Sequence, residues 1–66
     1  MSTIKVTAVD IIEDGKLQRI EFHNEDGGFE FQALWDETDE HTPENIEHFR
    51  EWIGKIAKQK NYTIGE

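Results

Sequence analysis

Residues 3–23, TIKVTAVDIIEDGKLQRIEFH, decide the fold. The first ten are rich in β-branched side chains (Thr3, Ile4, Val6, Thr7, Val9, Ile11, Ile12) and read as a strand. Glu13-Asp14-Gly15-Lys16 is a turn signal. After it, Ile20 and Phe22 alternate with Arg19, Glu21 and His23, the period-2 pattern of a half-buried strand. The register of this hairpin decides which side chains share a face, because a slip of one residue turns every side chain over. A two-residue Asp14-Gly15 turn pairs Val9 with Ile20 and Thr7 with Phe22, which strands Ile4, Val6 and Ala8 on the wrong face. A three-residue loop, Glu13-Asp14-Gly15 with Gly15 in the left-handed position, pairs Ala8 with Ile20 and Val6 with Phe22. The sequence pattern favours the three-residue loop.

Working outward, Asn24–Gly28 is a second turn, and residues 29–35 alternate again. A four-residue loop, Asn24–Gly27, pairs Phe22 with Phe29 and Ile20 with Phe31. The expected inner face then holds Ile4, Val6, Ala8, Ile20, Phe22, Phe29, Phe31 and Ala33. A helix is predicted from 43 to about 60. Thr42 suits its N-cap, Pro43 its first position and Asn61 its C-terminal cap. Ile46, Phe49, Ile53, Ile56 and Ala57 recur at helical spacing, with Trp52 at the margin. Acids (Glu44, Glu47, Glu51) precede bases (Lys55, Lys58, Lys60), which complements the helix dipole. Residues 62–64 read as a short fourth strand or a tail on the sheet edge. The expected fold class is α+β. A three-stranded antiparallel β-meander is packed by one C-terminal α-helix, βββα, in a single domain over residues 1–66.

Composition excludes several function classes. Cysteine is absent, which removes disulfides, thiolate nucleophiles and cysteine-based zinc sites. No apolar run approaches the roughly 20 residues of a membrane span. The N-terminal residues carry no signal-peptide pattern, so a cytoplasmic location is expected. The formal charge is −8, which argues against direct contact with nucleic acid phosphate. That charge is unevenly placed: eleven acids and three bases precede Pro43, and four of each follow. The whole excess therefore belongs to the sheet, its turns and the run Asp36-Glu37-Thr38-Asp39-Glu40. Such a surface serves solubility, or it faces a basic partner such as a protein site that normally grips nucleic acid.

In the expected register Ile11, Leu17 and Leu34 lie side by side on the face the helix leaves bare, with Val9 beside them. That patch is either covered by the loop after Trp35 or the C-terminal tail, or it is a contact surface. On the same face Glu21 is expected opposite Glu30, an unfavourable juxtaposition that a nearby cation relieves. Trp35 and Trp52 are expected in the core or at its margin; either one, if exposed, leads the candidates for a binding anchor.

Catalytic constellations are lacking. Ser2 is the only serine, and Gly27-Gly28 is a turn rather than a phosphate loop. Glu44, His48 and Glu51 share a helix face, with His41 just before it, but this is no recognised zinc spacing. Asp36, Asp39 and Glu40 lack the spaced ligands of an EF-hand. No metal or cofactor is expected, and no enzyme activity.

In size, acidity and lack of cysteine and catalytic residues, the chain resembles the small early proteins with which bacteriophages bind and inhibit host enzymes. Some of those display charge as DNA does. The resemblance is compositional and transfers no residue role. The expected function is a non-enzymatic acidic protein-binding module, of the phage inhibitor or modulator type, acting by occlusion or DNA mimicry on a host nucleic-acid enzyme. The partner is a larger protein with a basic surface, not nucleic acid or membrane. The expected contact residues are Asp14, Glu21, Glu30, Asp36, Glu37, Asp39 and Glu40 for charge, and Ile11, Leu17 and Leu34 for apolar contact. The alternative is a self-associating structural protein, a homodimer through the outer sheet face or an edge strand.

Overall fold

The Asp14-Gly15 turn sets the first hairpin, between β1 (Ile4–Glu13) and β2 (Lys16–Asn24). The computed structural model describes residues 3–65, so Ser2 lies outside it. Both turn residues have positive φ, 53° at Asp14 and 74° at Gly15. This is the primed two-residue turn whose twist matches the flanking strands and for which Asp-Gly is a preferred pair. Glu13 pairs with Lys16 and Ile12 with Leu17; the register then shifts, and Ile11 pairs with Arg19. Gln18 is the extra residue of a β-bulge.

The expected three-residue loop is therefore corrected to a two-residue turn plus a bulge. Beyond the bulge Ala8 pairs with Phe22 and Asp10 with Ile20, two residues from the expected partners. Two residues is one full pleat, so Val6, Ala8, Ile20 and Phe22 still share the inner face. The bulge also turns Leu17 inward, where it is 7% exposed within the core. Its expected place on the bare face is thereby overturned.

The second hairpin also carries a bulge, but its loop is the three residues Glu25–Gly27 rather than the expected four. Asn24 closes the loop through its backbone N–H to the Gly28 carbonyl, and its side-chain oxygen accepts the N–H groups of Asp26 and Gly28. Gly27 takes the left-handed position at φ 85°. In β3 (Phe29–Leu34) Phe31 pairs with Phe22 and Ala33 with Ile20, with a register shift beside His23 that leaves Glu30 as the extra residue. The expected pairs are again displaced by two. Phe29 sits opposite His23, edge-on to its ring and 55% exposed, so it leaves the expected inner face. Glu21 faces Gln32 rather than Glu30, and the expected like-charge pair does not form.

The helix α1 (Pro43–Gln59) starts as its sequence directs. Thr42 Oγ1 accepts the Asn45 N–H at 3.1 Å and Pro43 opens the first turn. It ends on Lys60, followed by Asn61 in the left-handed region at φ 62°. That residue turns the chain into β4 (Tyr62–Gly65), which pairs parallel to β1 from Ile4↔Tyr62 to Thr7↔Gly65. The sheet order is β3-β2-β1-β4, so α1 carries the chain from one sheet edge to the other.

Val6, Leu17, Ile20, Phe22, Ala33, Trp35, Ile53 and Ala57 are buried, which sets the helix against the inner face. The sheet curls strongly. Phe31 of one edge strand stacks on Tyr62 of the other with centroids 5.0 Å apart, and Phe22 stacks on Phe31 at 4.4 Å. Arg50 of α1 makes a two-pronged contact with the Asp10 carboxylate of β1, at 3.0 and 3.3 Å. That pair is largely exposed and worth about 0–1 kcal/mol; the apolar face does most of the docking. Among the described residues no buried side-chain polar atom lacks a partner.

Candidate protein-binding surface

The acidic loop after β3 is fixed from within. Trp35 is buried; its indole N–H donates to the Asp39 carbonyl at 3.0 Å, and its ring stacks on His41 at 4.4 Å and meets Phe49 edge-on. His41 Nε2 donates to the Leu17 carbonyl at 2.7 Å, and Asn45 donates to the Glu40 carbonyl. Asp36 accepts both the backbone N–H and the hydroxyl of Thr38, at 2.9 and 2.7 Å. Those bonds, the backbone one foremost, hold its carboxyl below the usual aspartate range. The loop is thus pinned to the core on its inner side, while Glu37, Asp39 and Glu40 are exposed.

Beside it the strand β3 and the helix α1 leave two shallow grooves. One, of about 340 Å³, is lined by Leu34, Trp35, Asp36, Asp39, His48, Phe49 and Trp52. The other, of about 400 Å³, runs along Phe31, Ala33, Leu34, Trp52, Ile56 and Lys60. Leu34 and Trp52 belong to both. They are 62% and 51% exposed, and the Trp52 ring is backed by Phe49 at 6.2 Å. Two large apolar side chains therefore stand in water next to a carboxylate-rich loop.

The expected contact residues do not form one surface. Asp36, Glu37, Asp39, Glu40 and Leu34 come together at this end of the molecule, and the β1–β2 turn puts Asp14 at the same end of the sheet. Glu21 and Glu30 are elsewhere and are engaged. Glu21 accepts from Arg19 Nε at 2.9 Å and contacts His23 Nε2 at 3.2 Å; Arg19 first, then His23, lowers its pKa. Glu30 accepts from Asn24 at 2.8 Å and from the Tyr62 hydroxyl at 3.1 Å, and that bond raises the Tyr62 pKa. Leu17 is in the core, so the bare face reads Ile11–Arg19–Leu34 across the strands. Arg19 interrupts the apolar patch that was expected there. Trp52 is the addition: its place at the margin of the helix stripe was the sequence signal for its exposure.

Among the described residues no group of three or more His, Asp or Glu is placed to hold a metal ion, and no helix is long and apolar enough to cross a membrane. Comparison with protein-family models, with curated proteins and with solved structures finds no match to this chain.

Proposed function

We propose that the chain is a non-enzymatic binding module. It seats on a basic site of a larger protein through the surface formed by Leu34, Trp52 and the Asp36–Glu40 loop. One observation carries the reading: exposed Leu34 and Trp52 share a groove with Asp36 and Asp39. Exposed tryptophan at the centre of a patch with a charged rim is the anatomy of an interface anchor. The mechanism is occlusion. Carboxylates of the loop meet the partner's Arg and Lys, and Trp52 and Leu34 supply the desolvated centre. With a charge of −8, the class of partner favoured is a protein whose basic site normally holds nucleic acid, a modulation of the kind small phage inhibitors exert.

The test is capture from bacterial lysate at roughly 0.05 M and roughly 0.5 M salt, either side of the 0.1 M at which screening length is about 10 Å. The wild type is compared with Leu34→Asp and Trp52→Asp. Both positions are exposed, so both variants should fold. The expected result is one protein retained at low salt, lost at high salt and lost in both variants. Capture indifferent to salt and to both substitutions would overturn the proposal.

A further inference from the structure

We infer that β3 is a docking edge, to which an extended Lys- or Arg-bearing segment of the partner adds as a further strand. This deepens the binding-module reading and rests on it. Among the described residues, in the order β3-β2-β1-β4, the strand β3 has a neighbour on one side only. The Trp35 N–H donates to the Gln18 carbonyl at 3.0 Å, which fixes the phase of the β2–β3 ladder. In an antiparallel ladder alternate residues turn their backbone groups to the partner strand. The N–H and C=O groups of Gln32 and Leu34 therefore face away from β2, and both residues are exposed.

Natural edges are blunted with Lys, Pro, bulges or brevity. The opposite edge, β4, is four residues long. β3 has a bulge at its Glu30 end, but from Phe31 to Trp35 it carries no Lys, Arg or Pro. An added strand there would lay alternate side chains along the groove that holds Trp52 and Ile56.

Charge selects the occupant. Asp36, Glu37, Asp39 and Glu40 stand at one end of this open edge, and Lys60 lines the groove toward the other. Basic residues of the added strand thus belong at the Asp36 end. A second copy brings another −8 and nucleic acid brings phosphate; both are repelled.

The probe is a synthetic peptide of alternating valine and lysine, about six residues long, a common strand length. Its control replaces the valines with prolines, which cannot pair. Backbone amide exchange is followed by NMR at low salt. The expected result is new protection at Gln32 and Leu34 with the valine peptide and none with the control. Gln32→Pro removes an outward N–H without touching the β2 ladder, and should weaken binding by about tenfold or more, 1.4 kcal/mol. Should that variant fail to fold, the exchange measurement on the wild type decides alone.

Peptide binding that leaves both amides unprotected overturns strand addition and leaves the binding-module reading standing. Absence of peptide binding, with the lysate partner still captured, does the same. Absence of both removes the two together. Protection of both amides in the free protein, with a dimer by light scattering, replaces the basic partner by a second copy.

Discussion

Phe22, 1% exposed and stacked on Phe31, is the residue the fold can least spare. Truncating a buried Phe to Ala costs about 3–5 kcal/mol, whereas a chain of this length has only about 3–10 kcal/mol in total. We expect Phe22→Ala to lose most or all of its cooperative urea transition by circular dichroism. Gly15 makes a smaller, cleaner test. A Cβ there meets nothing within 4 Å, but its φ is +74°. Gly15→Ala should cost about 1 kcal/mol from backbone strain alone, read as a shift of the urea midpoint. Two side chains give the stability a pH dependence of opposite sign. Glu21 is held below its ordinary 4.5 by Arg19 and then His23, so its contribution is present above about that pH and fades as pH falls through the lowered value. Tyr62 is raised above its ordinary 10.0 by its bond to Glu30 and by burial. Its contribution is full below that pH and is lost as pH rises through the raised value. Glu21→Gln should flatten the acid limb of a stability–pH curve and Tyr62→Phe the alkaline limb. Were both limbs unchanged, these bonds would not be coupled to folding. The Asp14-Gly15 pair was legible as a turn, and its preference for the two-residue form was written in its chemistry.

At the scale of elements the alternation of apolar and polar residues was enough to place Val6, Ala8, Ile20, Phe22 and Phe31 on one face. It was not enough to give the pairing. A bulge consumes one residue, and nothing in Gln18 or Glu30 as residue types marks them as the extra ones. A two-residue turn and a correct face seemed incompatible only while every residue was assumed to pair. The consequence for Leu17 was large, since the bulge at Gln18 moves it from the bare face to the core. Deleting Gln18 should therefore do more than shorten a strand. It forces either Leu17 or the Ile20–Phe22 pair onto the wrong face, and we expect the deletion to abolish the cooperative transition, whereas Gln18→Ala should leave it within about 0.5 kcal/mol of wild type. The helix was easier to read, because Thr42, Pro43 and Asn61 each carry a conformational preference of their own. Trp52 was not placed by periodicity alone. It falls between the buried row and the solvent row, and the edge of β3 is what leaves it open.

On the scale of the whole molecule, charge is the dominant feature. Most of the excess acids sit on the sheet turns and the loop after Trp35, and only Arg19, Lys5 and Lys16 offset them in that half. Self-repulsion of this size should be relieved by screening. We expect the melting temperature to rise with added sodium chloride, checked by differential scanning calorimetry. A melting temperature that falls would mean that ion pairs such as Arg50–Asp10 and Arg19–Glu21 outweigh the repulsion. The acidic half was legible as composition. Its nearness to Leu34 followed from the sequence as well; the path of the loop did not, because that depends on His41 being bonded to Leu17, far away in sequence, and on the local bonds from Trp35 and Asn45.

The parallel pairing of β4 with β1 has a kinetic corollary. Both hairpins join neighbours and can close locally within about 1–10 μs. The β1–β4 ladder joins Ile4 to Tyr62, nearly the full described length apart, and it waits on the helix between them. Such long-range closure is slow to gain its reward. Until it happens, Phe31 lacks the Tyr62 ring that stacks on it, and β1 offers a bare edge. Contacts made last are the ones whose loss speeds unfolding rather than slows folding. Ile64→Ala should steepen escape from the native state in stopped-flow experiments while leaving the refolding rate almost unchanged, which would mark β4 as the latch of the fold rather than its seed.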